Sequence, residues 1–281
     1  MSHNVNLVSL SEQFQEKIYR FGIDDNIWFL RDIANDCPKS IFDNPYLNLI
    51  RDLHIKYDAK FILNLFFETA GLDNYFNLTM MPDCYRDEWE ACSSWLRLAF
   101  HAKNEPRKYS SASYNEVFDE CAEVHREILR FAGEKSLSRY TTIHFVAASY
   151  DGCKALADCG IKGLVCLDSG NYENVRCSYY LDKDQTIFMD KNAIVRDTEN
   201  GLVFLRNDIV INRGKLDDIV PQLNEVVISD KNSNFVQILL HEQYFYTYYK
   251  RYLADYRKRM ETSLDWLTTN GYRAVFLEDI L

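Results

Sequence analysis

The side chains of this 281-residue chain that trade protons near neutral pH recur at similar places. Asp24-Asp25 follows the apolar run YRFGI, Glu68 follows KFILNLFF, His101 follows LRLAF, and His241-Glu242 follows FVQILL. His144 lies within TTIHFVA, and Asp168 closes IKGLVCL. Three of the six histidines therefore stand on or just after a strand-like run, which scattered surface charge gives no reason to expect. Each position also has a structural reading. Asp24-Asp25 suits a helix-capping turn, His101 a core histidine, His241 a polar cap, and Asp168-Ser-Gly a turn. For His144 a structural and a functional role are equally open. The apolar flanks on both sides of Asp24-Asp25 make a solvated turn the less natural choice there.

Such positions need a scaffold that brings strand ends together. Apolar runs predict strands at 19–23, 60–67, 96–100, 140–146, 162–167, 201–211, 235–240 and 273–277. Helical spacing lies between them, at 26–34, 44–57, 82–95, 113–131, 150–158, 216–223 and 244–270. The sharpest helix signal is Ser113 with Glu116 three residues on, a capping box, and Gly133 as the stop. Tyr244, Tyr246, Tyr248 and Tyr249 read as packing of the last helix, with sugar stacking as the other use of a tyrosine at a barrel mouth. Strands alternating with helices mean a parallel sheet covered by helices, and so many units in one chain favour a closed or nearly closed barrel. In that architecture a site sits at the C-terminal ends of the strands, where these residues fall. Asp25, His101, His144 and His241 are expected to converge at one mouth. The chain shows no linker and no repeat, so residues 1–281 are expected to form a single domain.

Composition narrows the partners. Thirty-two Lys and Arg face 42 Asp and Glu, for a net charge of −10. That balance argues against nucleic acid and against an anionic membrane surface, and suits a neutral or cationic substrate. No apolar run approaches the roughly 18–20 residues that cross a bilayer, and the first residues do not read as a signal peptide. Eight cysteines without a CxxC pair read as free thiols of a reducing compartment, so the expected location is the cytoplasm. No GxGxxG, Walker or GxSxG motif is present, and Phe245 rules out HExxH after His241.

The order of these sites resembles the polysaccharide deacetylase family, the NodB-like carbohydrate esterases. The resemblance rests on FGIDDN at the first strand, on the segment beginning at His101, and on Leu239-Leu240-His241 followed by Gly271-Tyr272 and a final strand. It implies an α/β fold, a distorted, TIM-like parallel (β/α)7-type barrel with an insertion around 170–234. It implies Asp24 as catalytic base, Asp25 as metal ligand and His241 as general acid. The family's His-x-x-x-His ligand pair appears here as His101 with Glu105. The third ligand is Glu105 by motif position and His144 by chemistry, and the motif position makes Glu105 the expected one. The family's Arg-x-Pro-x-Gly is missing, and Ile143-His144-Phe145 stands in that region. What the resemblance implies is a hydrolase that uses a divalent metal, zinc, to remove an acyl group, N-acetyl above all, from a carbohydrate. His144, Glu242, Asp168 and Glu68 are then substrate contacts. Two other readings stay open: a glycoside hydrolase pairing Asp24 or Asp25 with Glu68 or Glu242, and a carbohydrate-binding barrel without metal.

Overall fold

The computed structural model describes residues 5–71, 74–167, 173–229 and 231–281. Its strands are β1 (Leu7–Ser9), β2 (Ile18–Asn26), β3 (Phe61–Phe66), β4 (Leu96–Ala102), β5 (Tyr140–Thr141), β6 (Gly163–Val165), β7 (Ile194–Asp197), β8 (Val203–Leu205), β9 (Ile209–Val210), β10 (Phe235–His241) and β11 (Arg273–Ala274). Its helices are α1 (Trp28–Asp36), α2 (Pro45–Tyr57), α3 (Arg86–Cys92), α4 (Tyr114–Phe131), α5 (Tyr150–Asp158), α6 (Lys183–Asn192), α7 (Ile219–Ile228) and α8 (Tyr256–Thr269).

One sheet has the order β4-β3-β2-β10-β9, with β11 also on β2, and every pairing in it is parallel. Its central strand, β2, is buried along its whole length, as a parallel strand covered on both faces must be. The second sheet, β1-β7-β8-β6-β5, is mixed: β5, β6 and β8 are parallel, whereas β7 is antiparallel to both β1 and β8. The sheets meet where Ser138 N–H donates to Leu98 O at 2.8 Å and where Thr141 Oγ1 donates to Phe100 O. The fold is thus α/β with a parallel sheet under helices, and the wholly parallel arrangement expected from the sequence holds for the first sheet only.

Helix α4 shows how local sequence fixes an element. Ser113 Oγ accepts from Glu116 N–H at 3.4 Å, and Glu116 Oε2 accepts from Ser113 N–H at 2.8 Å. Val117, Cys121, Val124, Ile128 and Phe131 form the buried face. Gly133 follows with φ +83°, and a Cβ there would overlap the Glu90 side chain. All eight cysteines are free thiols. Among the described residues no helix is long and apolar enough to cross a membrane.

Three expected elements differ. The strand at 140–146 is paired only over Tyr140–Thr141, because the chain then turns through Phe145 (φ 61°) and Val146 (φ 51°), both left-handed. The strand at 201–211 is two strands, interrupted by Arg206-Asn207-Asp208, where the buried Arg206 guanidinium pairs with Asp208. The long helix at 244–270 begins only at Tyr256. Before it, the Glu242 carboxylate accepts the N–H groups of Ile27, Trp28 and Phe29 at 2.7, 3.1 and 2.7 Å. Tyr246, Tyr248 and Tyr249 ring Trp28 at centroid distances of 5.2, 5.3 and 5.8 Å. Those tyrosines pack as a cluster rather than as one helix face.

Candidate metal centre and cavity

The first site residues owe their placement to a backbone irregularity. The register of β2 on β3 shifts between Ile23 and Asn26, and Asp25 adopts φ 61°. Such a conformation costs a non-glycine residue energy, although aspartate tolerates it better than most. Asn26 compensates: its Nδ2 donates to Ile23 O at 2.6 Å and to Asn64 O at 3.2 Å, and Tyr46 OH donates to its Oδ1 at 3.0 Å. The bulge lets Asp24 and Asp25 serve neighbouring positions instead of opposite faces of the strand.

Asp24 is fixed from below. Asn64 Nδ2 donates to Asp24 Oδ1 at 2.6 Å, and Thr141 Oγ1 donates to Asn64 Oδ1 at 3.0 Å. Deeper still, the buried Arg20 guanidinium donates to Gln237 Oε1 at 3.0 Å and to Tyr140 O at 2.9 Å. Burial lowers Arg20 to about 10, opposed by the charges of Glu278 and Asp24. A Cβ on Gly22 would stand 3.0 Å from Arg20 Nη1, so glycine makes room for this cation.

Asp25 Oδ1 lies 3.1 Å from His101 Nε2 and 3.4 Å from His144 Nδ1, and those two nitrogens are 3.2 Å apart. The far nitrogen of each ring faces a backbone carbonyl: His101 Nδ1 meets Thr142 O, and His144 Nε2 meets Glu105 O at 2.8 Å. A carbonyl only accepts, so each neutral ring carries its proton on the far side. The near nitrogens then present lone pairs to one another and to a carboxylate oxygen. Three acceptors at this range require a shared cation, either a proton or a metal ion. The donor set of one carboxylate oxygen and two imidazole nitrogens, with carbonyls behind the rings, fits a divalent metal such as zinc.

The electrostatics agree with an anionic pocket for a cation. Burial alone would raise Asp25, but the adjacent His101 and His144 rings, which become donors to it once they take up a second proton, and the nearby His241 hold its carboxyl well below the usual carboxylate range. Burial lowers His101, yet Asp24 and Asp25 more than offset this and raise it. His241 is lowered, because burial outweighs the pull of Asp25 and Asp24.

His241 lies opposite Asp24 in the β10–β2 register, and its Nδ1 is 2.8 Å from Asn212 Oδ1. Asp24, His101, His144 and His241 line one cavity of about 310 Å³. Thr142 and Asn207 line it too, and the buried Thr142 Oγ1 and Asn207 Oδ1 have no hydrogen-bond partner among the described residues. Ile143, Val146, Leu167, Val210 and Leu239 supply apolar wall, and Arg213 stands at its edge.

The remaining expected residues are placed differently. Glu105 is exposed and meets the cluster through its main-chain oxygen, and His144 supplies the third donor atom there. The Glu242 carboxylate holds the start of α1 and accepts from Tyr246 OH at 2.8 Å. Burial raises it to about 7 against these donors. Glu68 accepts from Asn104 Nδ2 at 2.8 Å and Tyr75 OH at 3.0 Å. Asp168 lies outside the described residues. Asn64 and Asn212 were not singled out from sequence, although each is a lone polar residue in or after an apolar run, KFILNLFF and IVIN. Thr142 and Asn207 carry no comparable signal.

No family model and no curated protein matches the sequence. Solved structures do match by fold. A polysaccharide deacetylase from Mycobacterium smegmatis aligns with a TM-score of 0.53 at 7% identity, over 100% of this chain and 93% of that one. A 4-alpha-glucanotransferase from Thermococcus litoralis aligns with a TM-score of 0.56 at 13% identity, over 95% of this chain but only 40% of the larger enzyme. A polysaccharide deacetylase from Bacillus cereus aligns with a TM-score of 0.44 at 14% identity, over 92% and 90% of the two chains. The chain is therefore similar in fold to the Mycobacterium smegmatis polysaccharide deacetylase and to part of the glucanotransferase.

Proposed function

We propose that this protein is a metal-dependent hydrolase that removes an acyl group, N-acetyl in the first instance, from a carbohydrate. The observation that carries the reading is the meeting of Asp25 Oδ1, His101 Nε2 and His144 Nδ1 with both imidazole protons turned away to carbonyls. These three would hold the ion, with zinc as the expected metal and His144 in the place that the family motif gives to Glu105. The parallel strands are taken as staves of a (β/α)7-type barrel with the site at its mouth.

A divalent cation there supplies Lewis-acid polarisation of the acyl oxygen and a more acidic water. Asp24, oriented by Asn64, takes the proton of the attacking water. His241, steadied through Nδ1 by Asn212, gives a proton to the departing amine or alcohol. The Asp24 and Asp25 charges partly counter the burial that lowers His241. Thr142 Oγ1 and Asn207 Oδ1, both without partners among the described residues, are suited to sugar hydroxyl or amide groups. The negative net charge fits a neutral or partly cationic saccharide.

The test is release of acetate from penta-N-acetylchitopentaose by zinc-loaded protein, with the sugar products followed in parallel. Acetate with an intact sugar chain is expected. Shortened sugar chains without acetate would support the glycoside hydrolase reading instead, and saccharide binding without turnover the binding-barrel reading.

A further inference from the structure

A second ionisable cluster lies away from the cavity, between α4 and the end of α5. Cys121 and His125 are four residues apart on α4 and share a face. Cys159 is the C-cap residue of α5. Cys121 Sγ is 3.8 Å from His125 Nε2, and Cys159 Sγ is 3.6 Å from His125 Nδ1. The ligand atoms of the three residues lie within 4.8 Å of one another. Arg139 Nη1 is 3.3 Å from the same Nδ1. Gly160 leaves space for this guanidinium, since a Cβ there would come within 2.9 Å of Arg139 Nη1.

The guanidinium decides between two uses of such a cluster. A fixed positive charge beside the imidazole repels a metal ion but stabilises a thiolate. The two sulfurs also differ in access, because Cys121 is buried whereas Cys159 is partly exposed. Donation from the Cys121 thiol, aided by His125 and Arg139 and opposed by burial, draws Cys159 well below the ordinary thiol range. Burial and the neighbouring Cys159 push Cys121 up. The reachable sulfur is thus the one that ionises more readily, and the shielded sulfur the one that holds its proton.

We propose that Cys159 and Cys121 form a reversible redox pair, with Cys159 as the peroxide-reactive thiolate and Cys121 as the resolving thiol. The Cys159 sulfur attacks one oxygen of a hydroperoxide, the O–O bond breaks, and the departing alkoxide or hydroxide takes a proton. Cys159 is left as a sulfenic acid. The Cys121 sulfur then attacks the sulfenic sulfur, the S–O bond breaks, and hydroxide leaves with the Cys121 proton as water. In total, two thiols and one hydroperoxide give one disulfide, one water and one alcohol or second water. The disulfide requires the sulfurs to approach to about 2.05 Å, and it would staple α4 to α5. A thiol reductant reverses it by exchange.

The experiment treats the full chain with hydrogen peroxide, blocks the remaining thiols with N-ethylmaleimide and maps the peptides by mass spectrometry. The expected product is a Cys121–Cys159 linked peptide that dithiothreitol releases. In Cys121→Ser, Cys159 should stop at a dimedone-trappable sulfenic acid. In the untreated wild type, Cys159 alkylation should change less than about twofold between pH 6 and 8, whereas free glutathione in the same buffers should speed up roughly fifty- to a hundredfold. A Cys159 that follows the glutathione profile, or that stays reduced while Cys37 and Cys84 oxidise, would overturn the proposal. Zinc held by the wild type and released by Cys159→Ser would also overturn it, in favour of a metal site.

Discussion

The Asp25–His101–His144 and Cys121–His125–Cys159 clusters each bring three potential ligand atoms within 4.8 Å, yet their surroundings differ in every respect that matters to chemistry. The first stands at strand ends, on a left-handed Asp25 and just before two left-handed residues, and it opens on a cavity. Its partners are carbonyl oxygens and a second carboxylate, Asp24, and they leave an excess of electron pairs. The second lies between two regular helices, without comparable backbone strain, and a guanidinium stands beside its histidine. Three donor atoms alone do not make a metal site. The sign of the charge around them and the direction of the imidazole protons decide.

The largest expected effect tests the first cluster. Asp25→Asn should lose stoichiometric metal and lower acetate release by roughly a thousandfold or more, since Lewis-acid stabilisation is worth several kcal/mol. Cys159→Ser, assayed beside it, should release acetate at the wild-type rate. Equal losses in both variants would erase the distinction between the clusters.

His241→Ala should keep the metal and slow turnover by about 10²–10⁴. Metal content, melting temperature and rate measured on one preparation separate this from a capping role, which would cost about 0.5–2 kcal/mol of stability and little turnover. Asn64→Ala frees Asp24 and should lower kcat more than KM, by up to about a hundredfold, as misplacement of a reacting group does. If KM alone changes, Asn64 does not position the base.

The smallest effect concerns the joint between β10 and α1. Glu242 is raised from 4.5 to about 7 in the fold. Its contribution to stability is therefore full below pH 4.5 and lost as pH rises through about 7, on the order of 2–3 kcal/mol. Urea unfolding at pH 4.5 and 7.5 should show this decline in the wild type relative to Glu242→Gln, which has no proton to lose. A constant difference between the two proteins would show that the four donors around Glu242 hold it at an ordinary pKa.

Legibility from sequence followed the physics of each element. Strands β2, β3, β4 and β10 are long, buried and mostly apolar, so composition alone marks them. Strands β1 and β7 are not marked in this way, because they pair residues as far apart as Leu7 and Asp197 and are short. Helix α6 escaped notice although Asp182 and Gln185 form a capping box at its start. The tyrosines after His241 misled, since helical spacing does not distinguish one apolar face from a cluster around Trp28. The histidines and aspartates of the site were visible as polar residues at strand ends. That His144 turns a ring nitrogen toward Asp25 and His101, while Glu105 meets His144 through its main-chain oxygen, was not, because it depends on the turn through Phe145 and Val146, whose left-handed backbone has no glycine to announce it.

Metal content tests the central claim most directly. Elemental analysis of zinc-reconstituted wild type, Asp25→Asn, His144→Ala, Glu105→Gln and Cys159→Ser asks where an ion is held. The expected result is one zinc per chain in the wild type, Glu105→Gln and Cys159→Ser, and none in Asp25→Asn or His144→Ala. A wild type that takes up no zinc, or zinc that survives both Asp25→Asn and His144→Ala but leaves with Cys159→Ser, would contradict it.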